Sequence, residues 1–402
     1  MNPKEVFIAD YDYVLPLDRI AAFPLADRDA SKLLIYKEEG ITVSQFKDLA
    51  AHLPQHTTLV INNTRVIEAR LYFQKETGAQ IEIFCLSPYS PAEMTDSLST
   101  SGMVQWNCLI GGASKWKPGL ILTKELLIEK MPVVLSARYV GKSGEQFIIE
   151  FTWNTNHAFA EVLHVAGHIP LPPYIKRKAA QTDAERYQTV FARHQGSVAA
   201  PTAALHFTPS LFNKLKQKGI STTQLTLHVG AGTFKPVKSD TIADHDMHAE
   251  NFTVTISSLE ELIRAEILIA VGTTSLRTLE SLYWIGIKLL QGNTDLTLKQ
   301  WEAMKLSGSD HISYKESLQA IINWLKITGL EQVFCTTSLL IMPGYVFRSA
   351  NALITNFHQP RSTLLLLVAA FTGGDWKRIY DHALADDFRF LSYGDSSLLW
   401  RK

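Results

Sequence analysis

Between Thr64 and Phe151 apolar and polar positions alternate in short runs about ten residues apart, with turn residues between them, and this period predicts antiparallel strands. The runs fall at 66–73, 80–86, 104–110, 133–140 and 146–151, punctuated by Gly78, Gly111, Gly112, Pro118, Gly119 and Gly141. Strands this short and evenly spaced close naturally into a small barrel or sandwich. The later chain changes period. There, apolar runs lead into Gly, Ser or Thr and then into helical repeats. The run 267–271 enters Gly272-Thr273-Thr274-Ser275 and a helix expected to end near Gly286, and 353–355 leads through a polar loop to an apolar helix from Ser362. Thr208-Pro209 reads as an N-cap followed by proline at the first helical position. A buried strand at 59–61 precedes the alternating segment, so the expected fold is an α/β domain with an inserted antiparallel β-barrel domain. Residues 1–65 and 154–402 make the α/β unit and 66–153 the barrel.

The stretch 287–326 predicts further helices. Thr297 with Gln300, and Ser313 with Glu316, have capping-box spacing, while Leu318, Ile321, Ile322 and Leu325 form one apolar stripe that reads as packing surface.

Composition narrows the function class. A chain of 402 residues exceeds the usual size of one core, and 46% hydrophobic with 19% charged residues is ordinary globular material. The first residues lack the basic start and apolar centre of an export signal. The longest strongly apolar run, 363–371, is far short of the roughly 20 residues that cross a bilayer. A cytoplasmic protein with no membrane partner is expected. Cys85, Cys108 and Cys335 have neither disulfide nor metal-ligand spacing. Lys+Arg and Asp+Glu are both 39, so a nucleic-acid site would have to be a local patch. The candidates are Lys176, Arg177 and Lys178 with Arg186 and Arg193, or Lys214, Lys216 and Lys218, although each run alone reads more simply as a solvated face.

Polar clusters at strand ends and in loops mark where an α/β sheet places ligands. They are Asn62 to Arg65, Gln195 to Thr208 with Thr202, His206 and Phe207, His228 to Thr233, Gly272 to Arg277, and Asn356 to Arg361. Gly230 and Gly232 could admit a ligand to the backbone or make an ordinary turn, but Lys235 stands where a dinucleotide fingerprint needs its third glycine. Thr273, Thr274 and Ser275 open a helix whose free amides suit an anion, with Arg277 nearby, or serve as a cap. His228, His245, His248 and Glu250 could be drawn as metal ligands, but their spacing matches no strong signature and structural or substrate-binding roles fit better.

Together these segments resemble the S-adenosylmethionine:tRNA ribosyltransferase-isomerase family of queuosine biosynthesis. The resemblance spans nearly the whole chain: YDYVLP at 11–16, PLADRDASKLL at 24–34, NNTR at 62–65, GHIPLPPY at 167–174 and YQTVF at 187–191. It is densest over 196–208, LHVGAGTF at 227–234, MHAE at 247–250, AVGTTSLRTLE at 270–280, PGY at 343–345, 353–358 and SYGD at 392–395. The family resemblance implies the same α/β domain with inserted barrel. It implies transfer and isomerisation of the ribosyl part of S-adenosylmethionine onto 7-aminomethyl-7-deazaguanine at the tRNA wobble position, giving epoxyqueuosine with release of adenine and methionine. S-adenosylmethionine is then a co-substrate, no cofactor or metal is called for, and the protein is expected to be a monomer.

That chemistry needs a general base beside the sulfonium and a general acid for adenine, for which His228, His248, Glu250 and His358 are the titratable candidates. Arg65, Arg277 and Arg361 could hold the methionine carboxylate or RNA phosphates, and Phe207, Phe234 or Tyr393 could stack on a splayed base. Asn63, Thr202, His206, Gly230, Gly232, Thr233, Thr273, Thr274, Ser275 and Asn356 complete the expected binding set. Two departures stand out: Asn351 replaces a carboxylate common in the family, and 287–326 looks like a helical insertion in the α/β unit. They leave open a non-catalytic tRNA-binding paralogue, and the histidines leave open a metal-dependent hydrolase.

Overall fold

The structure is a computed structural model that describes residues 2–402 apart from 118, 231, 233–236, 307, 309 and 310. Ten strands make one mixed sheet in the order Thr297–Leu298, Gln332–Thr337, Glu250–Thr255, Ser221–Leu227, Thr57–Asn62, Ile267–Val271, Ala352–Asn356, Ser396–Trp400, Lys32–Lys37, Gly40–Gln45. Its centre is parallel. Thr57–Asn62 runs parallel to Ser221–Leu227 on one side and Ile267–Val271 on the other, and the latter runs parallel to Ala352–Asn356.

Thr57–Asn62 is buried at every position, as a central parallel strand covered on both faces must be. Side chains alternate between the two covers. Leu59 and Ile61 pack with Phe46, Leu49, Phe207 and Leu211, whereas Val60 packs with Leu276, Leu279 and Leu282 of the helix Thr273–Leu290.

The second sheet has seven strands, all antiparallel, in the order Gly167–His168, Arg70–Gln74, Gln80–Ser90, Met103–Gly111, Gln146–Trp153, Met131–Ser143, Ile121–Ile128. It curls until Ile121–Ile128 touches Arg70–Gln74. Its own core is closed by the helix Phe159–Ala166, where Phe159 packs against the rings of Trp106, Phe151 and Trp153. The alternating stretch of sequence is therefore a curled antiparallel sheet. The pattern missed Ile121–Ile128, whose centre carries Lys124 and Glu125, and the helix Met94–Ser99.

The stretch 287–326 differs from its sequence reading. The helix expected to stop near Gly286 runs on to Leu290, because a residue without a side chain at 286 lets Ser317 pack directly on the helix; a Cβ there would collide with the Ser317 hydroxyl and carbonyl. Thr297 caps no helix but lies in the edge strand paired parallel to Gln332–Thr337. Ser313 and Glu316 do form the capping box of the helix Tyr314–Thr328, and the stripe of Leu318, Ile321, Ile322 and Leu325 is buried in the main core. This segment is thus a wall of the core. Gly286→Ala is expected to cost about 1–3 kcal/mol by overpacking, measured by denaturant titration. An unchanged midpoint would show that the two helices can separate freely.

Candidate functional site

The parallel strands end at a cleft. Ile267–Val271 turns through Gly272, at φ 91°, where a side chain would be strained, directly into the helix Thr273–Leu290. Around the start of that helix a hollow is walled by residues 199–203, Thr355, Asn356, His358, Gln359, Tyr174 and Ser392. A second hollow is lined by Met247, His248, Arg277 and Leu340. The two share Thr273, Thr274 and Leu364, so they form one depression over the helix N-terminus.

A buried ionic chain floors the second hollow. Glu250, the first residue of its strand, contacts the Arg277 guanidinium, accepts the Gly230 N–H at 3.2 Å, and lies 3.2 Å from His248 Nε2. The Glu250 and Arg277 side chains are only 1% and 8% exposed, while His248 keeps 29%. Burial pushes Arg277 down to about 10, still a cation near neutrality. Gly232 is needed beside this group, since a Cβ there would run into the His248 ring.

At the opposite wall His358 is fixed on three sides. Its N–H donates to the Tyr380 hydroxyl at 2.9 Å, its carbonyl accepts from the Tyr13 hydroxyl, and its Nε2 shares a 2.9 Å hydrogen bond with Thr355 Oγ1. Burial pushes its pKa down to about 3, so the ring is neutral.

The remaining sequence candidates separate. Thr202 and Asn356 line the first hollow, and Thr273, Thr274 and Arg277 the shared floor. Ser275 is buried and donates to the Val271 carbonyl. His206 sits just behind the cleft, 3.0 Å from Ser31 Oγ and 3.3 Å from the Asn356 amide. His228 faces a different and larger cleft with Asn63, Arg193 and His194, hydrogen-bonded to Thr64 at 3.2 Å. Asn63 is tied there to Gln224 and Thr226. Arg65 is exposed on the short strand Thr64–Val66, and Arg361 turns outward to Asp12. Neither lines the cleft. Phe207 is locked among Phe46, Phe191 and Phe212, and Tyr393 is buried with its hydroxyl donating to Asp183, so neither offers a free face to a base. Thr233 and Phe234 lie outside the described residues. Sequence reasoning did not single out Tyr13, Tyr174, Tyr380 or Ser392, although Tyr13, Tyr174 and Ser392 fall inside the matched motifs at 11–16, 167–174 and 392–395.

Asn351 sits at the other end of its strand from the cleft. Its side chain accepts the Leu268 N–H at 2.9 Å and its own N–H reaches the Leu268 carbonyl at 2.7 Å. An amide oxygen fills that acceptor role as well as a carboxylate does. Among the described residues no three His, Cys, Asp or Glu side chains gather as a metal would require, and no helix is long and apolar enough to cross a membrane.

Three histidines confer an acid sensitivity. Burial holds His206 and His228 down to about 4 and His358 to about 3, against an ordinary 6.5. As pH falls below 6.5 the unfolded chain takes up protons that the folded chain refuses, so stability is full above that point and lost toward about pH 4. Each group contributes a slope of up to about 1.4 kcal/mol per pH unit in this window. The expected result is a melting temperature that falls steeply from about pH 6 to 4; a flat profile there would mean the rings are solvated.

Comparison with known proteins places the chain in a family. Residues 8–399 match the family model described as "Queuosine biosynthesis protein". The S-adenosylmethionine:tRNA ribosyltransferase-isomerase of Azoarcus sp. (strain BH72) is 37% identical over 98% of this chain and 97% of its own. That of Dechloromonas aromatica (strain RCB) is 38% identical with the same coverages, and that of Syntrophotalea carbinolica 37% over 98% and 99%. A crystal structure of S-adenosylmethionine tRNA ribosyltransferase from Thermotoga maritima is 28% identical, covers 97% of this chain and 99% of that one, and superposes with a TM-score of 0.45. The curated relatives make it an enzyme, a transferase. The chain belongs to the S-adenosylmethionine:tRNA ribosyltransferase-isomerase family of queuosine biosynthesis.

Proposed function

We propose that this chain moves the ribosyl part of S-adenosylmethionine onto 7-aminomethyl-7-deazaguanine at the tRNA wobble position and isomerises it, giving epoxyqueuosine, adenine and methionine. It would act as a cytoplasmic monomer, with 66–153 as an inserted barrel beside the catalytic α/β unit of 1–65 and 154–402. The observation that carries the reading is the Arg277–Glu250–His248 chain at the start of the cleft helix, joined there to Thr273 and Thr274.

Each group has a physical reason for its role. The helix N-terminus, with the Thr273 and Thr274 hydroxyls, suits an electron-rich group of the substrate. A sulfonium acidifies the hydrogens of the adjacent ribose carbon, and an imidazole can take one. His358, at about 3, is a poor proton acceptor near neutral pH. His248 lies against the Glu250 carboxylate, which favours the imidazolium that forms, so we assign proton abstraction to His248 and orientation of its ring to Glu250. His358 offers a neutral hydrogen-bonding edge to the substrate. The position of Asn351, bonded to Leu268 away from the cleft, supports a catalytic over a non-catalytic reading.

The test is incubation with S-adenosylmethionine and tRNA bearing the aminomethyl-deazaguanine base, with mass spectrometry of the nucleosides. Free adenine and methionine should appear only with that RNA, and chelators should leave the rate unchanged. Methylated RNA with S-adenosylhomocysteine would refute the proposal.

A further inference from the structure

A small, partly open pocket adjoins the main cleft, and Ser392 lines both. Arg28, Arg186 and Arg389 converge on it, with Ser31, His206 and Tyr393. Arg389 has a carboxylate partner, Asp395, at 3.0 Å. The other two bond only to carbonyl oxygens among the described residues. Arg28 donates to Gln188, Glu185 and Leu205, and Arg186 to Ala26 and Leu25. Carbonyl dipoles fix a guanidinium but leave its unit charge uncompensated.

The two charges also oppose each other. Arg28 is pulled below its ordinary pKa first by burial and then by Arg186, against a smaller contribution from the exposed Glu185. Arg186 Nε is buried and has no hydrogen-bond partner. Buried N–H donors are nearly always satisfied, so an unpartnered Nε on a side chain that lines this pocket beside two other arginines leaves a place for an acceptor that supplies negative charge. Neighbouring polar groups do not supply one: the Tyr393 hydroxyl is committed to Asp183, and His206 is held neutral against Ser31. Arginines that merely stapled residues 22–28 to 177–188 would need neither the mutual repulsion nor the idle Nε.

We propose that the Arg28–Arg186–Arg389 cavity is an oxyanion subsite, taking one phosphate or carboxylate of a substrate whose remainder lies in the adjoining cleft. Resting on the function proposed above, two sources fit: a backbone phosphate of the RNA near the reacting nucleotide, or the donor's methionine carboxylate. Arginine forks suit either, and both lie on molecules that must reach the same cleft.

The first experiment needs no turnover, so it stands or falls apart from that reading. Wild-type protein is titrated with inorganic phosphate, and separately with chloride at matched ionic strength, while the melting temperature is followed. A saturable rise with phosphate alone is expected, with affinity reduced at least tenfold in Arg186→Gln. Arg186→Lys, which keeps the charge but not the Nε fork, should fall between them and replaces the glutamine variant if that does not fold. The sources are then separated by binding. A fall of about one in the slope of log affinity against log salt for tRNA identifies an RNA phosphate. Weaker S-adenosylmethionine binding by calorimetry, with the RNA slope unchanged, identifies the donor carboxylate. Phosphate behaving like chloride on the wild type, or equally on wild type and both variants, overturns the subsite.

Discussion

Glu250→Ala is expected to destabilise the protein by about 3–5 kcal/mol, because it strands the Arg277 guanidinium in the core. The carboxylate is 1% exposed and the guanidinium 8%, so water cannot replace the lost partner. The Gly230 N–H loses its acceptor in the same change. Glu250→Gln keeps that acceptor and the shape but removes the charge, so it should fall between alanine and wild type. The pair's own contribution is smaller than the alanine value, since both ions are desolvated when they meet. Glu250→Leu combined with Arg277→Met should therefore recover most of the loss. Denaturant unfolding of wild type, Glu250→Leu, Arg277→Met and the double variant checks this through the double-mutant cycle. Purely additive losses would mean that the two side chains do not share their charge in solution.

Much of the fold could be read from two periods. Alternation over 64–151 announced the antiparallel sheet, and the run 267–271 followed by Gly272-Thr273-Thr274 announced a strand entering a helix, at the end where the cleft lies. What stayed hidden depended on contacts distant in sequence. Nothing local shows that Gly286 faces Ser317, so a glycine inside a helix read as its end. Phe207 and Tyr393 sit in ligand-like motifs, yet the Phe46, Phe191 and Phe212 rings and Asp183 claim them. His228 could have been placed. In the stretch from Gln224 to Val229, Leu225, Leu227 and Val229 enter the main core, so strand period sends His228 to the opposite face with Gln224 and Thr226. By the same logic Glu250 begins a strand whose inward positions are Glu250, Phe252 and Val254, which puts its carboxylate inside and obliges it to find a cation.

His248→Ala is expected to lower turnover by about 10²–10⁴-fold while leaving the fold and S-adenosylmethionine affinity nearly intact. The ring keeps 29% of its surface exposed at the cleft, so its removal should cost less stability than loss of the buried Glu250 carboxylate. His358→Ala should behave differently. That ring is neutral and bonded to Thr355, so its loss should raise KM for the donor or the RNA more than it lowers the chemical step. Because His358 does not titrate near neutrality, its removal should leave the shape of the pH–rate profile above about pH 5 unchanged, whereas removal of a proton-accepting His248 should flatten the rising limb. Single-turnover adenine release, measured across pH with each variant, separates the two. Should His248→Ala retain the wild-type rate and limb while His358→Ala loses both, proton abstraction belongs to His358, and substrate binding must lift its pKa from about 3 toward neutrality before reaction.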